Sequence, residues 1–270
     1  MSLHVPDIRV QLNQNVIQYL DEIDSHVSGY ELIAENVIAT PHRYEKLPLE
    51  KPISLHSIGI FPTYTWPSKI KVFKTVESFL YPRKIDLLSI HLAKDTLGDL
   101  PADRLIPLPC SRKTIVEISN NIKMIQDGLG KNVLIENISE YYSDPESDMN
   151  ISEFVFELIR KSGCLLLLDL NNYLVNLKNF PDSKNDIETL LHLQVVRELH
   201  MAGHSEIDGI SIDSHGEDIS AECLSLLQLV SSNMEENVTI VLERDSNIAS
   251  SRVLIDEIER IKRAATFNLA

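Results

Sequence analysis

Short runs of Val, Ile and Leu recur along the chain and alternate with longer stretches whose apolar residues return at helical spacing. The runs are Asp7–Leu12, Tyr30–Ala34, Ile53–Ile58, Asp86–His91, Asn132–Glu136, Cys164–Leu170, Val195–Met201, Gly209–Asp213 and Val238–Glu243. Their nearly continuous apolar character predicts strands buried on both faces. The stretches Asn15–His26, Ser68–Leu80, Lys113–Gly128, Ile151–Ser162, Ser220–Val230 and Ala249–Arg263 predict helices. Strands alternating with helices build βαβ units and a parallel sheet.

A (β/α)₈ barrel needs about 250 residues, and the chain has 270. No linker or low-complexity segment divides it, so residues 1–270 are expected to form one TIM-barrel domain of the α/β class. The run Gly209–Asp213 follows Val195–Met201 so closely that one of the two is expected to lie outside the barrel. A doubly wound open sheet would also explain the alternation, but neither G-x-G-x-x-G nor G-x-x-x-x-G-K-[ST] occurs.

An apolar share of 43% and a charged share of 24% are ordinary for a globular protein. No apolar run approaches the ~20 residues that cross a bilayer, and the opening MSLHVPDIRV does not read as a signal peptide. Cys110, Cys164 and Cys223 are scattered, which speaks against a disulfide framework or a zinc ribbon and suits the cytoplasm. The formal charge of −15 disfavours nucleic acid and anionic membranes as partners.

Chemistry enters through position. Polar residues able to bind metal recur where the apolar runs end: His56 in LHSIG, His91 in SIHLA, Glu136 in LIENIS, Asp169 with Asn172 in LLLLDLNN, and His200 in ELHMAGH with His204 beyond. Asp213 and His215 follow in DSHG, Glu243 in LERD, and Glu35 occupies the same place in ELIAEN. One such histidine is more often an ordinary hydrogen-bonded residue, and one such Asp a helix cap. A parallel barrel, however, brings all its strand ends to one rim. Apart from Arg244, no Lys or Arg lies near these residues in sequence, so bound metal is the simplest counter-charge for so many gathered acids. Imidazole and carboxylate without thiolate suit iron, manganese or zinc, and so many donors exceed what one ion takes. Asp213 and His215, two apart, would share a face about 7 Å apart on an extended chain. His200 and His204, four apart, would be separated by about 13 Å on a strand, which favours His200 as the ligand and puts His204 in a loop. His4, His26, His42 and His192 are read as structural.

With these segments in view, the chain resembles the multinuclear non-heme iron-dependent oxidative enzymes (MNIO) from roughly Glu31 to Asn247. LIPLP and LERDSNI add to the match, whereas DIRVQLN lacks the family's Gly- and Arg-containing opening and SIHLA lacks its tryptophan. The resemblance implies a (β/α)₈ barrel with two or three irons in mixed Fe(II)/Fe(III) states, and O₂ as co-substrate. It implies His56, His91, Glu136, Asp169, Asn172, His200, Asp213, His215 and Glu243 as the metal-binding set. Glu35, Asn36 and His204 are implied to stand behind the ligands or to face the substrate, and Asn137 and Asn171 to orient the ligand carboxylates. The implied activity is oxidation of a ribosomally made precursor peptide, at cysteine in many members, with a partner protein presenting its leader. Two other readings remain open on the residues alone. One is a divalent-metal isomerase or hydrolase on the same barrel, xylose-isomerase-like or endonuclease-like; the other is a non-catalytic metal-binding partner in a peptide-maturation complex.

Overall fold

A computed structural model describes residues 6–63, 70–97, 100–181, 187, 194–233 and 238–266. His4, His192 and the start of the helix expected at Ser68 lie outside the described residues. Eight parallel strands close into a barrel: β1 (Asp7–Gln11), β2 (Gly29–Ile33), β3 (Ile53–Ser57), β4 (Ile85–His91), β7 (Leu134–Glu136), β8 (Leu165–Asp169), β9 (Val196–Met201) and β12 (Thr239–Leu242), which pairs back to β1. They coincide with eight of the apolar runs. The barrel is a TIM barrel, with helices between successive strands packed outside.

The helices are placed by their apolar stripes and their caps. In α5 (Ile151–Ser162) the buried Phe154, Val155, Leu158 and Ile159 form one face. The Asn150 side chain accepts from the Glu153 amide at its start, and Gly163 (φ 72°) ends it in the left-handed region. The helix α4 (Arg112–Leu129) repeats the pattern with Ser111 and Gly130.

The run Gly209–Asp213 is the one outside the barrel. Its strand β11 (Ile210–Asp213) pairs antiparallel with β10 (His204–Ile207). Asp208 (φ 53°) and Gly209 (φ 78°) supply the two left-handed residues that such a tight hairpin turn needs. His204 therefore opens a strand and does not lie in a loop. A second hairpin, β5 (Ala93–Leu97) with β6 (Leu100–Pro107), follows β4 in sequence and is not among the apolar runs. The helix expected over Asn15–His26 is instead three short turns, Ile17–Tyr19, Leu20–Ile23 and Asp24–His26. Within these turns only Leu20 and Ile23 are buried, too little apolar face to hold a long helix. The helix α6 (Leu170–Asn179) was hidden in the sequence because it starts directly at the end of β8 and is rich in asparagine, a weak helix former.

Candidate metal centre

Register brings the polar strand ends together. His91 is the cross-strand partner of Glu136, and Asp169 that of His200, so each pair stands side by side at the carboxyl rim. His56 is the last residue but one of the neighbouring strand β3, and Glu243 follows directly on β12. His56, Glu136, Asp169, His200 and Glu243 are all buried.

The donors form three linked groups. His56 Nε2 and His91 Nε2 lie 3.3 Å apart, and each is 3.4 Å from Glu136 Oε2. The other oxygen of Glu136, Oε1, is 3.3 Å from His200 Nδ1, which is also 3.3 Å from Glu243 Oε1. Asp169 completes this second group, whose donor atoms all lie within 4.8 Å of one another. The far oxygen of Glu243, Oε2, is 3.6 Å from His215 Nδ1, while His215 Nε2 is 2.8 Å from Asp213 Oδ1. Glu136 and Glu243 thus each turn their two oxygens to different groups. Asp213 and His215 touch each other where an extended chain would hold them apart, because His215 adopts φ 47° and folds the chain back.

Metal–ligand bonds of about 2.0–2.2 Å put donors of one ion within roughly 4.4 Å of each other, and the 3.3–3.4 Å spacings among His56, His91, Glu136, His200 and Glu243 satisfy that. The stronger sign is what the donors leave undone. Glu136 Oε2, Asp169 Oδ2, His200 Nδ1 and His215 Nε2 are buried without a hydrogen-bond partner, an arrangement that costs several kcal/mol unless something binds them. The residues fit a cluster of cations. Electrostatics shows the same frustration. Burial, together with Glu136, Asp213 and Glu243, pushes the Asp169 carboxyl well above the usual carboxylate range. Burial opposes charge on His200 and His215, but Glu243 and the other facing carboxylates outweigh it and hold both rings well above the usual histidine range. His91, with fewer acids around it, is lowered by burial to about 4 and keeps a free lone pair.

Around the donors the other expected residues take varied places. Asn172 is buried beside the centre; its side chain accepts from Ser139 Oγ and donates to the Asn137 carbonyl (3.2 Å). Asn137 clasps the backbone of Asp169 through both its amide nitrogen and its oxygen, 2.9 Å each, and does not contact the carboxylate. Asn171 does hold one of the expected carboxylates, donating to Asp213 Oδ1 at 2.7 Å, and is itself braced by His204 Nδ1 at 2.8 Å. Glu35 turns away from the centre: it accepts from Ser57 Oγ at 2.6 Å and from the Gly59 amide at 3.0 Å, clamping the loop beyond His56. Asn36 is half-buried in α2 (Ala34–Ala39), where its carbonyl accepts from Thr40. Arg244 pairs with Asp218 at 3.1 Å and braces the loop behind His215. His26 faces Glu259, and His42 is exposed.

Sequence reasoning missed a layer of polar residues below the rim. Gln11, Glu31, Ser54 and Glu198 are buried on barrel strands. Their only signal was a polar letter inside an apolar run, as in YELIA and VRELH.

A cavity of about 340 Å³ opens over the centre. Ile33, Ile58, Leu105 and Ile138 form apolar walls, with Tyr141 and the exposed Arg104 also lining it. Among the described residues, no helix is long and apolar enough to cross a membrane.

Solved structures share the fold at low identity. A xylose isomerase domain-containing protein from Salmonella typhimurium superposes with a TM-score of 0.57 at 13% identity, over 100% of both chains. The apo form of 3-keto-D-glucoside 4-epimerase from E. coli gives 0.56 at 11%, over 96% of this chain and 99% of that one. By sequence, a UPF0276 protein of Acinetobacter baylyi is 31% identical over 244 residues, 88% of this chain and 84% of the relative. A UPF0276 protein of Caulobacter sp. is 29% identical over 254 residues, 90% and 91% of the two chains. Residues 8–266 match the family described as RiPP precursor modification enzyme MbnB/TglH/ChrH, and the chain belongs to that family of peptide-modifying enzymes.

Proposed function

We propose that this chain is a multinuclear iron enzyme that uses O₂ to oxidise a ribosomally made precursor peptide, at a cysteine. The observation that carries the reading is the pair of shared carboxylates: Glu136 and Glu243 each offer one oxygen to one imidazole group and the other to the next. A bridging carboxylate is how neighbouring ions are held, so His56, His91, Glu136, Asp169, Asn172, His200, Asp213, His215 and Glu243 would hold two or three irons. Iron there would supply one-electron chemistry with O₂ and the positive charge that keeps a substrate cysteine as its nucleophilic thiolate.

The chain's own residues prepare that chemistry. Ser89 Oγ, 2.8 Å from His56 Nδ1, and Asn171, bonded to Asp213, fix two donors in place. The isoleucine and leucine walls exclude water around the reacting side chain. Tyr141 Oη accepts from the Asp213 amide at 3.1 Å and keeps its own proton to donate to a peptide carbonyl. Arg104 offers a cation at the cavity edge. Function in the cytoplasm, as a single domain, with a partner protein holding the peptide leader, completes the reading.

The test is anaerobic reconstitution with Fe(II), metal analysis, and addition of O₂ with a cysteine-containing precursor encoded beside the gene. At least two irons per chain and an O₂-dependent mass change in the peptide are expected. Fewer than two irons, or a zinc or manganese protein whose activity ignores O₂, would overturn it.

A further inference from the structure

The buried polar layer beneath the rim has no place in the ligand set, yet it touches that set at two points. Glu31 sits on β2, directly below the centre. Its Oε2 lies 3.1 Å from His200 Nε2 in a well-aligned hydrogen bond. Its Oε1 accepts from Gln11 Nε2 at 2.8 Å, and the same Gln11 amide donates to Glu243 Oε1. All four residues are buried.

The two nitrogens of His200 differ sharply. Nε2 is aligned on a carboxylate oxygen. Nδ1 has carboxylate oxygens at 3.3 Å on two sides but is aligned for a hydrogen bond with neither. A carboxylate can only accept, so Nε2 must carry the proton it shares with Glu31. That leaves Nδ1, which faces Glu136 and Glu243, as the nitrogen that would offer its lone pair to an ion in the centre.

We propose that Glu31 and Gln11 are a positioning pair: Glu31 selects the ring orientation and tautomer of His200, and Gln11 ties that selection to the angle of Glu243. The inference rests on the metal-centre reading above. A carboxylate behind a metal-ligating histidine fixes the ring and raises its basicity. What is particular here is the amide link. Gln11 spans two acids that would repel each other, so His200 and Glu243 are set together as one unit.

The donor pattern makes Glu31→Gln informative, because it keeps the shape and removes one acceptor. The new amide must either lose its bond to His200 or set two NH₂ groups against each other at Gln11. Gln11→Leu keeps the volume and removes the link, and serves where Glu31→Gln fails to fold. The full-length chain, stripped of metal, is titrated anaerobically with ⁵⁷Fe(II), followed by calorimetry, metal analysis and Mössbauer spectroscopy. Wild type should bind at least two irons. Both variants should bind one of them roughly 10–100-fold more weakly, with a changed quadrupole doublet for that iron. If wild type binds at least two irons and both variants match it in affinity and spectrum, the positioning role is wrong and the function reading stands. If wild type binds fewer than two, both fall.

Discussion

His200 Nδ1 lies 3.3 Å from Glu136 Oε1, while the other oxygen of that carboxylate reaches 3.4 Å from both His56 and His91. Glu136 is therefore the hinge between two donor groups. Glu136→Gln removes its negative charge and places an NH₂ where an acceptor is needed. Metal analysis of the reconstituted variant should show loss of at least one iron equivalent, and precursor turnover should fall by at least ~10²-fold. His42→Ala, an exposed histidine away from the centre, should retain full metal content.

Remote packing also reaches the centre. A Cβ on Gly203 would meet the Glu217 carbonyl oxygen at 2.0 Å, and backbone cannot swing aside as a side chain can. Gly203→Ala should push the 214–218 loop, which carries His215, away from Glu243. Denaturant unfolding should register a loss of about 1–3 kcal/mol, accompanied by reduced iron content. Unchanged iron content would show that the loop is held elsewhere.

At the other end of the barrel, the buried Arg9 makes a two-pronged bond to Asp86 (2.8 and 2.7 Å) and a further one to Asp7 (2.8 Å). Removing one acid strands part of a buried cation. Asp86→Ala should cost about 3 kcal/mol in denaturant unfolding, with iron content unchanged because the site is at the opposite rim. A cost near zero would mean that Asp7 alone satisfies the guanidinium.

Glu140 provides a pH signature. Burial pushes its carboxyl up from 4.5 to about 7. A raised acid favours the folded state fully below its unfolded value, and that contribution is lost as pH rises through about 7. Glu140→Gln removes the ionisation, so the melting temperature of the variant relative to wild type should climb between pH 5 and pH 8. A difference that stays flat over that interval would show that the carboxyl reaches solvent.

Much of this was readable in advance. Short apolar runs such as LLLLD and VTIVL, alternating with helical stretches, suit strands buried on both faces of a parallel sheet, so the barrel strands were legible from composition and spacing. The polar residue at the end of each run was legible for the same reason. Less visible were elements without that signature: the β5–β6 hairpin mixes apolar, charged and proline residues, and α6 has asparagines in its first turn. Glu35 stands at a strand end like the proposed ligands, but its helix turns it toward Ser57 and the Gly59 amide, and nothing local in ELIAEN announces that direction.

By itself, the order of residues determined the alternation of strands and helices and which rim the imidazoles and acids would occupy, because both follow from local periodicity and from parallel strands sharing one direction. Only the tertiary structure decided the pairings: that Glu136 and Glu243 each serve two groups, and that Glu31 rather than Glu35 supports a histidine. Those depend on cross-strand register and side-chain direction between segments as distant as Glu31 and His200, and such relations exist only once the barrel has closed.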